Sequence, residues 1–128
     1  MAMKNAWISM GALWGALAVG LGAFGAHGLK SLTKDPDALD WWHTAASYQL
    51  WHALALVGYG LFLTTQRDGR SVSTWPGFAF LLGSAVFSAT LYAMALGAPR
   101  WLGAITPLGG SALIVAWVAF AWQALPRQ

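Results

Sequence analysis

The sequence predicts an all-α polytopic membrane protein, an antiparallel four-helix transmembrane bundle, and three observations carry that prediction. Only 9% of the 128 residues are charged and 58% are hydrophobic, against about 25% charged in a soluble globular chain. The few charges leave four uncharged runs, Asn5–Leu29, Trp41–Gln66, Ser71–Pro99 and Trp101–Pro126, each longer than the roughly 20 residues a helix needs to cross a bilayer. Tryptophans gather near the run ends, with Trp7, Trp75 and Trp122 at one level and Trp41, Trp42 and Trp101 at the other, as interfacial belts require. The chain is read as one domain with spans at about 6–27, 41–64, 75–97 and 102–124.

The first run follows Lys4 and ends in small residues. It is longer than the apolar core of about 7–15 residues that a cleaved signal uses, so it is expected to remain as the first span. Gly11, Gly15, Ala18, Gly22, Gly25 and Ala26 fall within about 100° of arc on a helix, a continuous small-residue stripe. Helices in lipid associate through close van der Waals approach, which such a stripe permits. The partner can be an internal helix or another copy, and the sequence leaves both open.

Leu29 to Asp40 holds Lys30, Lys34, Asp35, Asp37 and Asp40. Asp35-Pro36-Asp37 has the order of a helix start, an acceptor cap followed by a proline whose missing N–H costs nothing and an anion at the positive end of the dipole. The second helix is therefore expected from about residue 36 to 64, with its first two turns in the headgroup layer. Residues 66–71 form a polar turn and Gly97-Ala98-Pro99-Arg100 a tight one, so both flanking pairs should be antiparallel hairpins. The third span places Gly77, Ser84, Ser88 and Ala95 on one face. The fourth carries Thr106-Pro107-Leu108-Gly109-Gly110 in its first third, where the proline should free a carbonyl and kink the helix. Helix packing is assigned to Gly11, Gly15, Ala18, Gly22, Gly25, Ser84, Ser88, Gly109 and Gly110.

Absences narrow the function. Without cysteine there is no disulfide, thiolate metal site or dithiol chemistry. Seven scattered Lys and Arg residues form no basic stripe for nucleic acid, and the basic charge is read as facing lipid headgroups. No Asp, Glu, Lys or Arg lies inside a span, although such groups mark proton relays and ion paths. Ion-coupled transport is thereby disfavoured, small multidrug exporters with their first-span glutamate included. No nucleophile–base pair or metal cluster can be read, so no catalytic residue, metal ligand or cofactor is assigned and an enzyme is not expected.

What remains is a polar face on the second helix, where Tyr48, Gln49, His52 and Tyr59 lie within about 60° of Ala45. Such a face belongs inside the bundle, with interhelical hydrogen bonds to Ser84, Ser88, Thr90 or Thr106. His27 ends the first span beside the acidic loop, where Asp35, Asp37 or Asp40 can pair with it. Joint haem ligation by His27 and His52 is disfavoured because His52 lies roughly 15 Å deeper at 1.5 Å per residue. His43 is read as a solvated interfacial residue.

Four stretches resemble the DUF423 family of small bacterial membrane proteins, related to the transmembrane protein 256 family. They are Gly22-Ala23-Phe24-Gly25-Ala26-His27-Gly28-Leu29-Lys30, the run from Ala45 to Leu56 through Tyr48-Gln49-Leu50-Trp51-His52, Phe87-Ser88-Ala89-Thr90-Leu91-Tyr92, and the run from Leu102 to Gly110. The third departs in having Ala89-Thr90 where the family looks more like Gly-Ser. The resemblance implies a four-span inner-membrane protein and no established activity, so it transfers no catalytic residue.

Two functional expectations follow. The first is a structural or accessory protein acting by helix contacts with lipid, a second copy or a larger membrane complex. The second is a binder or carrier of a lipid-like or quinone-like molecule, with His27, Tyr48, Gln49, His52, Tyr92 and Thr106 as candidate ligand-binding residues. A closed contact between the first two helices favours the first, and a lateral opening that reaches His52 favours the second. Four basic residues, Lys4, Arg67, Arg70 and Arg127, face three, Lys30, Lys34 and Arg100, which puts both termini in the cytoplasm.

Overall fold

A computed structural model describes residues 2–66 and 72–126. Four helices order the chain: α1 (Ala2–His27), α2 (Ala38–Thr65), α3 (Trp75–Ala95) and α4 (Thr106–Ala124), with 3₁₀ turns at Leu29–Ser31 and Arg100–Ala104. Each helix packs on the next, so α2 and α3 are central and α1 and α4 flank them. The antiparallel sense is fixed at both ends. Lys4 Nζ reaches the Gln66 carbonyl and Gln123 Nε2 reaches the Ser73 carbonyl, which sets the start of α1 beside the end of α2 and the end of α4 beside the start of α3. At the opposite end Arg100 pairs with Asp35 and Asp37. Beyond Gln66, the polar turn expected over 66–71 lies outside the described residues.

Burial is distributed as for a bundle in lipid. Gln49 and Ser84 are fully buried, while Leu13 is 72% and Leu108 68% exposed. Water would penalise that outward apolar surface, and hydrocarbon would not. Three segments, Met3–His27, Trp75–Ala95 and Arg100–Ala124, are long and apolar enough to cross a membrane. The 28-residue α2 has the length, but Gln49, His52 and three tryptophans dilute its hydropathy. Its mid-span polar groups Gln49, His52 and Tyr59 face inward, where they find hydrogen-bond partners inside the bundle.

Close backbone approach holds two of the helix pairs. A Cβ on Gly11 would stand 2.8 Å from the Ala53 carbonyl oxygen, and one on Gly25 would fall on the Trp42 indole. At Gly11 and Gly25 the α1 stripe is thus covered by α2, while Ala26 stays exposed. Between α3 and α4, a Cβ on Gly109 would stand 2.5 Å from the Phe87 nitrogen and 2.7 Å from the Gly83 oxygen. The α3 C-terminus closes as a Schellman turn: Ala98 N–H donates to the Ala93 carbonyl, Gly97 N–H donates to the Met94 carbonyl, and Gly97 takes φ +100°, which a side chain would strain.

Three local expectations are corrected. First, α2 begins at Ala38 and neither aspartate caps it through its side chain. Asp35 Oδ1 instead accepts from the Asp37 N–H at 2.9 Å, a local turn that competes with helix initiation. Second, Pro107 does not kink α4. The chain leaves its 3₁₀ turn at Ala104 and restarts as α4 at Thr106, so the proline occupies a first turn in which its N–H is not needed. Third, Trp7 and Trp42 are not interfacial anchors. Trp7 is 1% exposed and packs edge-on against Phe78 at 4.7 Å over the bare Gly77. Trp42 is buried and donates from Nε1 to the Leu21 carbonyl at 2.6 Å. Trp75, Trp101 and Trp122 are exposed as the belts require.

Glycine tolerance should follow this geometry. Gly109→Ala meets backbone atoms that cannot rotate away and should cost about 1–3 kcal/mol. Gly20→Ala meets no atom within 4 Å and should not destabilise. Equilibrium unfolding of both variants in mixed micelles measures the contrast.

Candidate functional site

The α2 face assigned from the sequence is buried at Ala45, Gln49, His52 and Tyr59, with Tyr48 at its edge. Gln49 joins three helices. Its Nε2 donates to the Trp14 carbonyl of α1 at 3.2 Å, and its Oε1 accepts from the Tyr92 hydroxyl of α3 at 2.8 Å. Trp14 Nε1 in turn donates to Ser84 Oγ at 3.0 Å, and Ser88 Oγ donates to the Ala45 carbonyl at 2.8 Å. Thr106 meets Thr90, oxygen to oxygen, at 2.7 Å between α3 and α4.

His52 lies one turn deeper. Its Nδ1 is 2.7 Å from the Tyr48 carbonyl, which can only accept, so Nδ1 carries the proton. Nε2 then accepts from the Trp117 indole N–H at 3.1 Å. Both ring nitrogens are engaged and the ring is neutral. The expected hydroxyl partners for this histidine are replaced by a backbone carbonyl and an indole. Toward the chain ends, the Tyr59 hydroxyl donates to the Ser73 carbonyl at 2.8 Å and lies 3.1 Å from Gln123 Oε1.

Beside this network α2, α3 and α4 leave a lateral cleft of about 540 Å³. Tyr48, Trp51, His52, Phe87 and Trp117 form its aromatic walls, and Pro107, Gly110 and Ser111 its α4 side. Tyr48 stacks on Phe87 with ring centroids 4.2 Å apart. Glycines draw α1 onto α2 and α4 onto α3, whereas bulky rings stand between α2 and α4, and the opening is the consequence.

The acidic loop is tied elsewhere. Arg100 Nη2 lies 3.1 Å from both Asp35 Oδ2 and Asp37 Oδ2, with its guanidinium 4.9 Å from the Trp41 ring centre. The Asp37 backbone N–H, and then Arg100, hold the Asp35 carboxyl below its ordinary range; the bond to Asp35 raises Arg100 in return. His27 therefore loses two of its expected partners to Arg100 and ends α1 exposed, apart from the other candidate residues.

The structure thus brings Tyr48, Gln49, His52 and Tyr92 together, seats Thr106 at the α3–α4 seam and leaves His27 outside. Trp14, Trp117 and Phe87 were missed as site residues. An indole N–H at mid-span must find an acceptor, and that requirement on Trp14 and Trp117 was the available signal.

A family profile described as "Protein of unknown function (DUF423)" matches residues 21–110. The UPF0382 membrane protein YwdK of Bacillus subtilis is 44% identical over 113 residues, covering 88% of this chain and 89% of its own. A UPF0382 membrane protein of Haemophilus influenzae is 36% identical over 124 residues, 94% of each chain. One from Schizosaccharomyces pombe is 37% identical over 114 residues, covering 85% of this chain and 92% of its own. No solved structure matches.

Two predictions test the site. In a double-mutant cycle, Gln49→Leu and Tyr92→Phe should couple by about 0.6 kcal/mol, with about 1.7 as the ceiling typical of membrane interiors. The second concerns acid. Asp35 has a depressed folded pKa, so its stabilisation is present above the unfolded value, near 3.9, and is lost as pH falls through the folded one. Thermal midpoints measured from about pH 6 down to about pH 3 should fall less steeply in Asp35→Asn than in wild type.

Proposed function

Because the chain belongs to the DUF423 family, whose relatives carry the name membrane protein, we propose that it is an integral membrane protein that holds a lipid-like or quinone-like molecule in the lateral cleft between α2 and α4. The observation that carries this reading is an opening that reaches His52 and Tyr48 from the side of the bundle. Its volume, about 540 Å³, falls in the range of about 300–1,000 Å³ typical of small-molecule sites. That room suits one ring head or one length of chain. Stacked aromatic walls favour a flat ring, and the Tyr48 hydroxyl supplies a donor for a carbonyl oxygen. The close α1–α2 contact at Gly11 and Gly25 supports the accessory reading, and the lateral opening at His52 supports this one.

The same proposal has four spans, with α2 crossing between α1 and α3, in a bacterial inner membrane. Both termini are then cytoplasmic, by the count of Lys4, Arg67, Arg70 and Arg127 against Lys30, Lys34 and Arg100 in the sequence.

A short-chain quinone such as decylubiquinone, titrated into purified protein in mild detergent, tests the cleft through the fluorescence of Trp51 and Trp117. Quenching should saturate. Gly110→Leu should weaken it about tenfold, because a Cβ at Gly110 meets only the Phe87 ring, at 3.6 Å, and the longer side chain extends into the cleft. Non-saturating quenching, or an unaltered curve in a folded Gly110→Leu variant, contradicts the proposal.

A further inference from the structure

A second cavity, of about 370 Å³, lies on the other side of α2, at the end of the bundle opposite the termini. Gly22, Gly25 and Ala26 of α1 and Ala46 of α2 contribute to its lining. A Cβ on Gly22 would only just touch Ala46, at 3.9 Å, so the two backbones frame a bare floor. Trp42 covers Gly25, with its indole N–H turned inward to the Leu21 carbonyl. The floor is therefore apolar and offers no side-chain hydrogen bond.

The lining also carries charge. Lys30 comes from the 3₁₀ turn after α1, and Asp40 and His43 come from the first turns of α2. Three residues apart, Asp40 and His43 are neighbours on one helix face. Arg100 does not neutralise this set: among the described residues the ion pairs are those of Arg100 with Asp35 and Asp37. Lys30, Asp40 and His43 are exposed, and they stand at the helix ends, level with Trp41, where headgroups meet the hydrocarbon.

A fixed ammonium, a fixed carboxylate and an imidazole donor beside an uncharged floor complement a ligand with one phosphate and one primary ammonium on an apolar body. Lys30 and His43 can donate to the phosphate, and Asp40 can accept from the ammonium N–H groups. A choline headgroup offers Asp40 no N–H donor, and a glycerol headgroup offers it no positive charge. We propose that this groove is a binding site for phosphatidylethanolamine in the leaflet opposite the termini, with the headgroup on Lys30, Asp40 and His43 and the glycerol region over the floor of Gly22, Gly25 and Ala46. The site is independent of the lateral cleft, because the two cavities use opposite faces of α2.

The test is lipid retention by the full chain. Purified protein is equilibrated in detergent with equimolar phosphatidylethanolamine, phosphatidylcholine and phosphatidylglycerol of the same acyl chains, then washed, and the retained lipid is quantified by mass spectrometry. Wild type should enrich phosphatidylethanolamine about threefold or more over each of the others, the scale expected of solvent-facing charge pairs. Asp40→Ala, which removes the acceptor, should abolish its advantage over phosphatidylcholine, and Lys30→Gln should lower its retention. Gly110→Leu, altered only in the cleft, should keep the enrichment. Retention of the three lipids in the supplied ratio, enrichment of phosphatidylglycerol instead, or an unchanged preference in Asp40→Ala would overturn the proposal. Because Lys30 and Asp40 are exposed, neither substitution disturbs the core, and the wild-type comparison stands without any variant.

Discussion

A polar group inside hydrocarbon must find its partner within the protein, because no water is there to supply one. In this bundle that requirement falls mainly on α2. Gln49, His52 and Tyr59 lie on its inner face, and their partners come from α1, α3, α4 and the segment before α3. An α2 turned by a quarter would aim these groups at lipid and strand the Tyr92 hydroxyl and Trp117 indole that answer them. The order of packing, with α2 between its neighbours, follows from where those answers are.

Glycine sets the spacing that the hydrogen bonds need. At Gly11 and Gly25 the first two helices close until backbone or ring replaces the missing side chain, and at Gly109 the last two do the same. Between α2 and α4 the contact is aromatic instead, with Phe80, Trp117 and Phe120 ringed around Tyr59 and His52. Rings cannot approach as backbones do, and the lateral cleft lies where that contact gives out, beside Tyr48 and Trp51. One helix therefore carries a backbone contact, closest at Gly11, on one side and a cleft-forming aromatic contact on the other.

Much of this was legible in the sequence because it depends on period and composition. The apolar runs, the α1 stripe and the inward face through Gln49 and His52 need only 100° per residue and a count of charges. What was not legible depends on distant partners. Trp7 and Trp42 lie at the right level for a belt, and only Gly77 and the Leu21 carbonyl, far along the chain, draw them inside. Asp35 and Pro36 spell a helix start, yet the Asp35 carboxylate is divided between the Asp37 N–H and Arg100, 65 residues away. Pro107 reads as a kink until the 3₁₀ turn before it is seen to end the preceding segment.

The central claim is that the polar face of α2 is satisfied within the bundle, and the ring of His52 reports it most directly. Nitrogen-15 chemical shifts of His52 in lipid bilayers distinguish its tautomers. Protonation at Nδ1 with Nε2 unprotonated and accepting is the result predicted by the Tyr48 carbonyl and the Trp117 indole. A proton on Nε2, in the other tautomer or in the imidazolium, would remove the acceptor for Trp117 and contradict the account.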